Sequence, residues 1–352
     1  MAQLGAKTFD EREFPNASQL PHVSVILATR ESDDAIVRRV EDIERSTYPL
    51  ALLEIIVVLD STRTTALGVL TARLPSGTRV LSADSPGKAA ALNLGVHSST
   101  HDLLLFVDTA QSFAPDAIEA MIVDLERLDA GAMTATLAPT SGDVFMDRYW
   151  RRELAIRQGQ SSRHSVICVT GCAYVMRRKF WKSMPTGLIC DDLWSTYSVI
   201  TQGGRVGICA RANVTDPRRF TRDEEYARRV RTITGMLQFI RWFPDVLRRD
   251  RNPMWSDFLL HKLMRPATPV LLGIGLASIW SAMLLVSPRA ALALFVAGVL
   301  TIVMPWILTA LPLGATSRRA QSLVFAQRLI LMPLTAIRRA VTSNWDVWKP
   351  HR

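Results

Sequence analysis

Three short apolar runs rich in branched residues punctuate the first third of the chain: His22–Thr29 (HVSVILAT), Leu53–Leu59 (LEIIVVL) and Leu103–Val107 (LLLFV). Runs of this length without polar alternation are what a strand buried on both faces requires. Between them lie segments with helical spacing at Ala35–Arg45, Thr65–Arg73 and Lys88–Val96, with a further one at Pro115–Leu128 and a short strand at Arg79–Leu81. Strands that alternate with helices predict an α/β domain whose mostly parallel sheet is covered on both sides, with a ligand crevice at the carboxyl ends of the strands. Thr29, Asp60 and Asp108 stand at such ends. No GxGxxG follows the first strand, which argues against a dinucleotide site.

The last third has a different pattern. Pro266–Pro288 and Ala290–Ser317 are uncharged, with Arg289 alone between them. Each run holds the roughly 20 apolar residues that cross a bilayer. Two spanning helices are therefore expected over residues 267–311. A third stretch, Ser322–Ile337, is interrupted by Arg328 and Pro333, and the expectation for it is an interfacial or re-entrant segment. Trp345 and Trp348 would then lie at headgroup level.

Charge sharpens this division. The 352 residues carry a net charge of +10, which alone would suggest nucleic acid or an anionic membrane. Residues 1–245 hold 29 Lys/Arg and 29 Asp/Glu, whereas 246–352 hold 13 and 3. The excess thus flanks the uncharged runs, at Arg248, Arg249, Arg251, Lys262 and Arg265 before the first and Arg318 and Arg319 after the second. Lys/Arg excess marks the cytoplasmic side, so the preceding domain is expected in the cytosol, at the inner membrane, with no nucleic-acid partner. Met1–Leu20 is polar with charges of both signs, unlike a secretory signal. Cys168, Cys172, Cys190 and Cys209 would then be reduced thiols, and Cys168 and Cys172, lacking a second pair at zinc-site spacing, are read as packing residues.

In order along the chain stand HVSVILAT, VVLDST, GKAAALN, LLLFVDTA, a Thr170-Gly171 followed by Arg177 and Arg178, and the acidic pair Asp191-Asp192. In this order the motifs resemble the family 2 glycosyltransferases, over about residues 21–245. The C-terminal helices are also similar to those of bacterial members that make surface polysaccharides. The resemblance implies a GT-A domain at 21–245 after a tail at 1–20, then an amphipathic interface segment at 246–266, two transmembrane helices at 267–311 and a basic loop, third helix and tail at 312–352.

The resemblance also implies roles. Thr29, Glu31, Asp60, Lys88, Asn93 and Asp108 would bind a nucleotide-diphosphate sugar, and a carboxylate at Asp60 suits a base or ribose hydroxyl. Gly87-Lys88 opens a helix, where free amides and an ammonium suit an anion. The family's loop after Asp60 carries further acids, but Arg63 and Thr64 stand here. Asp108 would belong to the family's DxD element and hold Mg2+ or Mn2+, although that element reads Asp108-Thr109-Ala110. Weak metal use through Asp108 and leaving-group stabilisation by cationic side chains both remain open.

Asp192 is the expected catalytic base of an inverting transfer, with Asp191 orienting its helix. Thr170, Gly171 and Cys172 would lie beside the acceptor. Gln238-Arg241-Trp242 spells the QxxRW signature of processive members. A better register is Arg228-Arg229-Val230-Arg231-Thr232, which places Arg228, Arg229 and Arg231 toward the diphosphate and leaves Thr232 where a stacking Trp is expected. Gln238–Trp242 is then read as an amphipathic interface segment.

The expected activity is inverting transfer of a sugar, UDP-linked, to a glycan or lipid-linked acceptor in polysaccharide assembly, with export or polymerisation subunits as open partners. Two other readings stand beside it: transfer to a polyprenyl phosphate, and a degenerate sugar-nucleotide-binding subunit.

Overall fold

The computed structural model describes residues 20–63, 66–138, 144–218, 220–310, 318–343 and 345. Most of the N-terminal tail, Thr64, Thr65, all of residues 311–317 and Trp348 lie outside these. The sheet is built from β1 (Val23–Thr29), β2 (Leu53–Leu59), β3 (Arg79–Ser82), β4 (Leu103–Val107), β5 (Ser112–Phe113), β6 (Ala132–Ala138), β7 (Ala173–Arg177) and β8 (Val206–Thr215), in the order β3-β2-β1-β4-β7-β6-β8-β5. The apolar runs at Leu53–Leu59 and Leu103–Val107 are strands with the expected bounds, and β1 is shorter than expected by one residue.

β1, β2, β3 and β4 pair in parallel, with Thr29 level with Leu59 and Leu27 level with Val107. The chain runs outward from β1 to β3 and then returns to β4 on the other side of β1. This reversal creates a crevice at the carboxyl ends of β1 and β4. β7 enters antiparallel beside β4, with Val107 opposite Ala173, and so delivers the 170–172 turn to the same crevice.

Successive strand side chains point to opposite faces, and two cores result. Val25, Leu27, Val57 and Leu105 pack against α1 (Asp33–Glu44) and α4 (Ala117–Arg127). Between β2 and β3 lies the short α2 (Leu67–Thr71). Ile26, Val58, Leu104 and Phe106 pack on the other face, against α3 (Lys88–Ser98), α6 (Asp191–Ile200) and α7 (Arg222–Trp242). α5 (Val144–Arg163) links β6 to the segment before β7.

α7 begins with a reciprocal cap in which Thr221 and Glu224 satisfy each other's free amides. At its far end, Gln238–Trp242, expected as an amphipathic interface segment, turns Gln238 and Phe239 into the core while Arg241 stays exposed. Gln238 is fully buried, accepts from the Ile189 amide at 2.9 Å and donates to the Gly187 carbonyl at 3.0 Å. An amide side chain meeting two backbone groups in the core fixes α7 against the loop that enters α6.

α8 (Trp255–Asp257) passes through a π-helical stretch, Phe258–Leu263, into α9 (Met264–Val286), followed by α10 (Pro288–Ala310) and α11 (Arg318–Val341). Three helices among the described residues are long and apolar enough to cross a membrane: Trp255–Val286, Pro288–Ala310 and Ala320–Val341. Two were expected. Leu285 and Val286 are 90% and 86% exposed, as suits a lipid-facing surface.

α11 also packs along α7. Arg222 donates to Ser322 at 3.1 Å, Arg328 pairs with Asp223 at 2.7 Å, and Arg241 donates to Ser343 at 3.2 Å. The third helix is thereby joined by polar contacts to the α/β domain over much of its length.

Candidate active site

The crevice is organised by three carboxylates and one ammonium. Asp60 ends β2, and its Oδ1 accepts from the Thr62 amide at 2.9 Å and the Thr62 hydroxyl at 2.6 Å. Its Oδ2 accepts from the Gly87 amide at 2.8 Å. Gly87 caps α3 with φ +108°, a conformation that side-chain-bearing residues rarely adopt. Burial alone would raise the Asp60 carboxyl, but the Thr62 and Gly87 bonds hold it below its ordinary range. Asp60 is thus already committed to shaping the loop that presents Lys88.

Lys88 begins α3, and its ammonium lies 2.9 Å from Asp108 Oδ1 and 2.9 Å from Asp191 Oδ2. Burial opposes the charged lysine, yet Asp108 and Asp191 raise it well above its ordinary value, so it stays an ammonium. Three motifs separated by up to 103 positions therefore meet at one nitrogen. Asp108 is held from behind, where its amide donates to the Cys172 carbonyl at 3.0 Å. Thr29 completes this end of the crevice: its hydroxyl accepts from the Thr109 hydroxyl at 2.7 Å and from the Glu31 amide at 3.0 Å.

Asp191 and Asp192 open α6. Asp192 is half-buried, with Oδ1 accepting from the Leu193 amide at 2.9 Å and Oδ2 from the Cys168 thiol at 3.1 Å. Gly171 runs close by, since a β-carbon there would stand 3.7 Å from Asp192 Cβ. Thr170 is buried and faces β6, with its hydroxyl donating to the Ala135 carbonyl at 3.0 Å. Cys172 is buried as well, and burial first, then Asp108, pushes its thiol up to about 12.

Other expected residues lie apart from this cluster or are engaged elsewhere. Both amide atoms of Asn93 are taken by the Met184 backbone, at 2.8 and 2.9 Å. Arg228 stacks 3.9 Å from the Phe220 ring centroid, and Arg229 pairs with Glu225 at 2.6 Å. Arg231 lies on the same α7 turn, near enough to Arg228 to affect its charge. Arg177 and Arg178 sit at the amino end of β4, opposite the crevice, where Arg178 binds the His101 and Val96 carbonyls.

Several residues near the site were not singled out from the sequence. Asp216 ends β8, accepts from Gln111 at 3.2 Å and pairs with Arg218 at 2.7 Å. Arg218 senses Asp108 and is raised, first by its bond to Asp216. Arg39 is buried under the 109–113 turn, donating to the Thr109 carbonyl at 3.4 Å with Phe113 4.3 Å beneath it. The Asp-Pro-Arg after β8 could have marked the first pair, but an α1 arginine has no local signature.

Residues 24–184 match the model of glycosyl transferase family 2. These residues are a family 2 glycosyltransferase domain. A mannosyltransferase from Pyrobaculum calidifontis, PcManGT, solved with GDP-Man and Mn2+, is similar at 17% identity and TM-score 0.67, over 95% of this chain and 91% of its own. The likeness shows the GT-A fold of the transferase domain, followed by C-terminal helices. GalNAc-T7 with UDP, GalNAc and Mn2+ is similar at 13% identity over 58% of this chain and 44% of its own, with a TM-score of 0.46. A search of curated proteins finds no match.

PcManGT was solved with Mn2+ bound. Among the described residues no group of three or more His, Cys, Asp or Glu could hold a metal. Asp108 is a third exposed and offers one carboxylate, with Ala110 two positions on. That donor set fits a hard cation only in the mode where substrate phosphates supply most ligands, as Mg2+ commonly allows.

Proposed function

We propose that the protein is an inverting glycosyltransferase that moves a sugar from a nucleotide diphosphate, UDP-linked, to a glycan or lipid-linked acceptor at the cytoplasmic face of the inner membrane, in polysaccharide assembly. The convergence of Lys88, Asp108 and Asp191 beside Asp192 at the switch point of the sheet carries this reading. The ammonium would meet the diphosphate, and Asp108 would hold a divalent cation together with phosphate oxygens, which neutralises charge on the departing nucleotide.

Asp192 is the base in this account. A carboxylate on the acceptor side takes the hydroxyl proton as that oxygen attacks the anomeric carbon, while the bond to the diphosphate breaks on the opposite face. Gly171 leaves room for the acceptor, and Thr170 holds the turn rather than the sugar. Arg228 and Arg229 reach the diphosphate only after leaving Phe220 and Glu225, with Arg231 further along α7. Thr29, Glu31 and Asp60 line the nucleotide end.

Basic residues around α8 and the exposed apolar faces of α9 and α10 support membrane attachment. The polar contacts between α11 and α7 favour a third helix lying at the interface against the catalytic domain over one that crosses. Protein purified in detergent and given a panel of nucleotide sugars is expected to release nucleoside diphosphate from one of them. Release from none would contradict the reading.

A further inference from the structure

We infer that Cys168 is a positioning residue for Asp192, its thiol acting as the hydrogen-bond donor that aims the carboxylate at the acceptor. This rests on the proposed role of Asp192 as base. Sequence spacing makes Cys168 a packing residue, and the structure gives it a polar task. Its Sγ donates to Asp192 Oδ2 at 3.1 Å, while the other oxygen is turned back to the Leu193 amide of its own helix.

The thiol is itself held in place from two sides. Arg157 on α5 donates to the Cys168 carbonyl at 3.0 Å. The next amide, that of Val169, donates to the Thr196 hydroxyl at 2.9 Å, and that hydroxyl donates to the Asp192 carbonyl at 2.7 Å. The 168–170 segment and the first turn of α6 are therefore laced together by one side-chain bond and one hydroxyl relay. Of the four free cysteines, Cys168 is half-buried and the other three are buried, which suits a thiol facing the crevice. Burial, then the charge of Asp192, raises this thiol, so it remains a donor throughout the neutral range. A bond to a charged acceptor adds a second anchor to a carboxylate otherwise held only through its Oδ1.

The test compares Cys168→Ala and Cys168→Val, which lack the donor, with Cys168→Ser, which keeps one. Turnover and KM are measured on the nucleotide sugar that wild type uses, with thermal unfolding as the folding control. The expected result is kcat lowered about tenfold in whichever donorless variant folds, donor KM unchanged, and kcat restored to within about twofold by serine. Wild-type kcat in a donorless variant would overturn the inference, as would an equal fall in the serine variant. Wild type that releases no nucleotide from any donor would sink the transferase reading and this inference with it.

Discussion

The ammonium nitrogen of Lys88 lies 2.9 Å from Oδ1 of Asp108, joining the start of α3 to the end of β4 across the crevice. With Asp191 also 2.9 Å away, removing the lysine charge would leave two carboxylates without the cation they share. Lys88→Met is expected to weaken nucleoside diphosphate binding by about 10- to 100-fold, the range of one charge-assisted bond. Isothermal titration calorimetry on the detergent-purified protein measures it; unchanged affinity would place the diphosphate elsewhere.

Ala110 stands where a second carboxylate would complete the DxD element. Ala110→Asp supplies it, and Mn2+ affinity in the presence of UDP is expected to rise about tenfold or more. Electron paramagnetic resonance of free Mn2+ reads this directly. No gain would show that Asp108 does not face the metal position.

The entry to α6 is set by a close approach. A β-carbon at Gly235 of α7 would stand 2.5 Å from Cys190 Sγ and 2.6 Å from Ile189 Cγ2, immediately before Asp191. Gly235→Ala is therefore expected to cost about 1–3 kcal/mol through overpacking and to lower kcat more than it alters nucleotide affinity. Denaturant unfolding and steady-state kinetics check the two effects.

Glu153 ties α5 to the membrane-proximal segment. His261 lies 3.2 Å and Arg265 2.9 Å from its carboxylate. Burial would raise this carboxyl, but those partners hold it down to about 2. Its contribution, ~3 kcal/mol, is present above the ordinary carboxylate value and lost as pH falls toward 2. Glu153→Gln is expected to remove most of the difference in stability between pH 6 and pH 3 that this site supplies, measured by unfolding at both values.

The parallel half of the domain was legible because it is local. β1, β2 and β4 are buried on both faces, so each reads as an unbroken apolar run, and a parallel βαβ chain places the ends of such runs together. Asp60 and Asp108 could be singled out for the same reason, whereas Lys88 stood out as the start of a helix and the Asp191-Asp192 pair through the family resemblance. The antiparallel half was not: β7 lies between β4 and β6, a pairing set by contacts across some 70 residues in the case of β4. Gln238 was read as part of an amphipathic interface segment, and its burial depends on bonds to Ile189 and Gly187, some 50 positions away. Cys168 and Asp192 are 24 positions apart, with nothing in their spacing to join them.

The central claim is that Asp192 serves as base beside a nucleotide-diphosphate site. Nucleoside diphosphate release should be measured for wild type and Asp192→Asn on the accepted donor and acceptor, with nucleotide affinity measured in parallel. The account predicts release reduced at least about a hundredfold with affinity within about threefold of wild type. Full release by Asp192→Asn would contradict it.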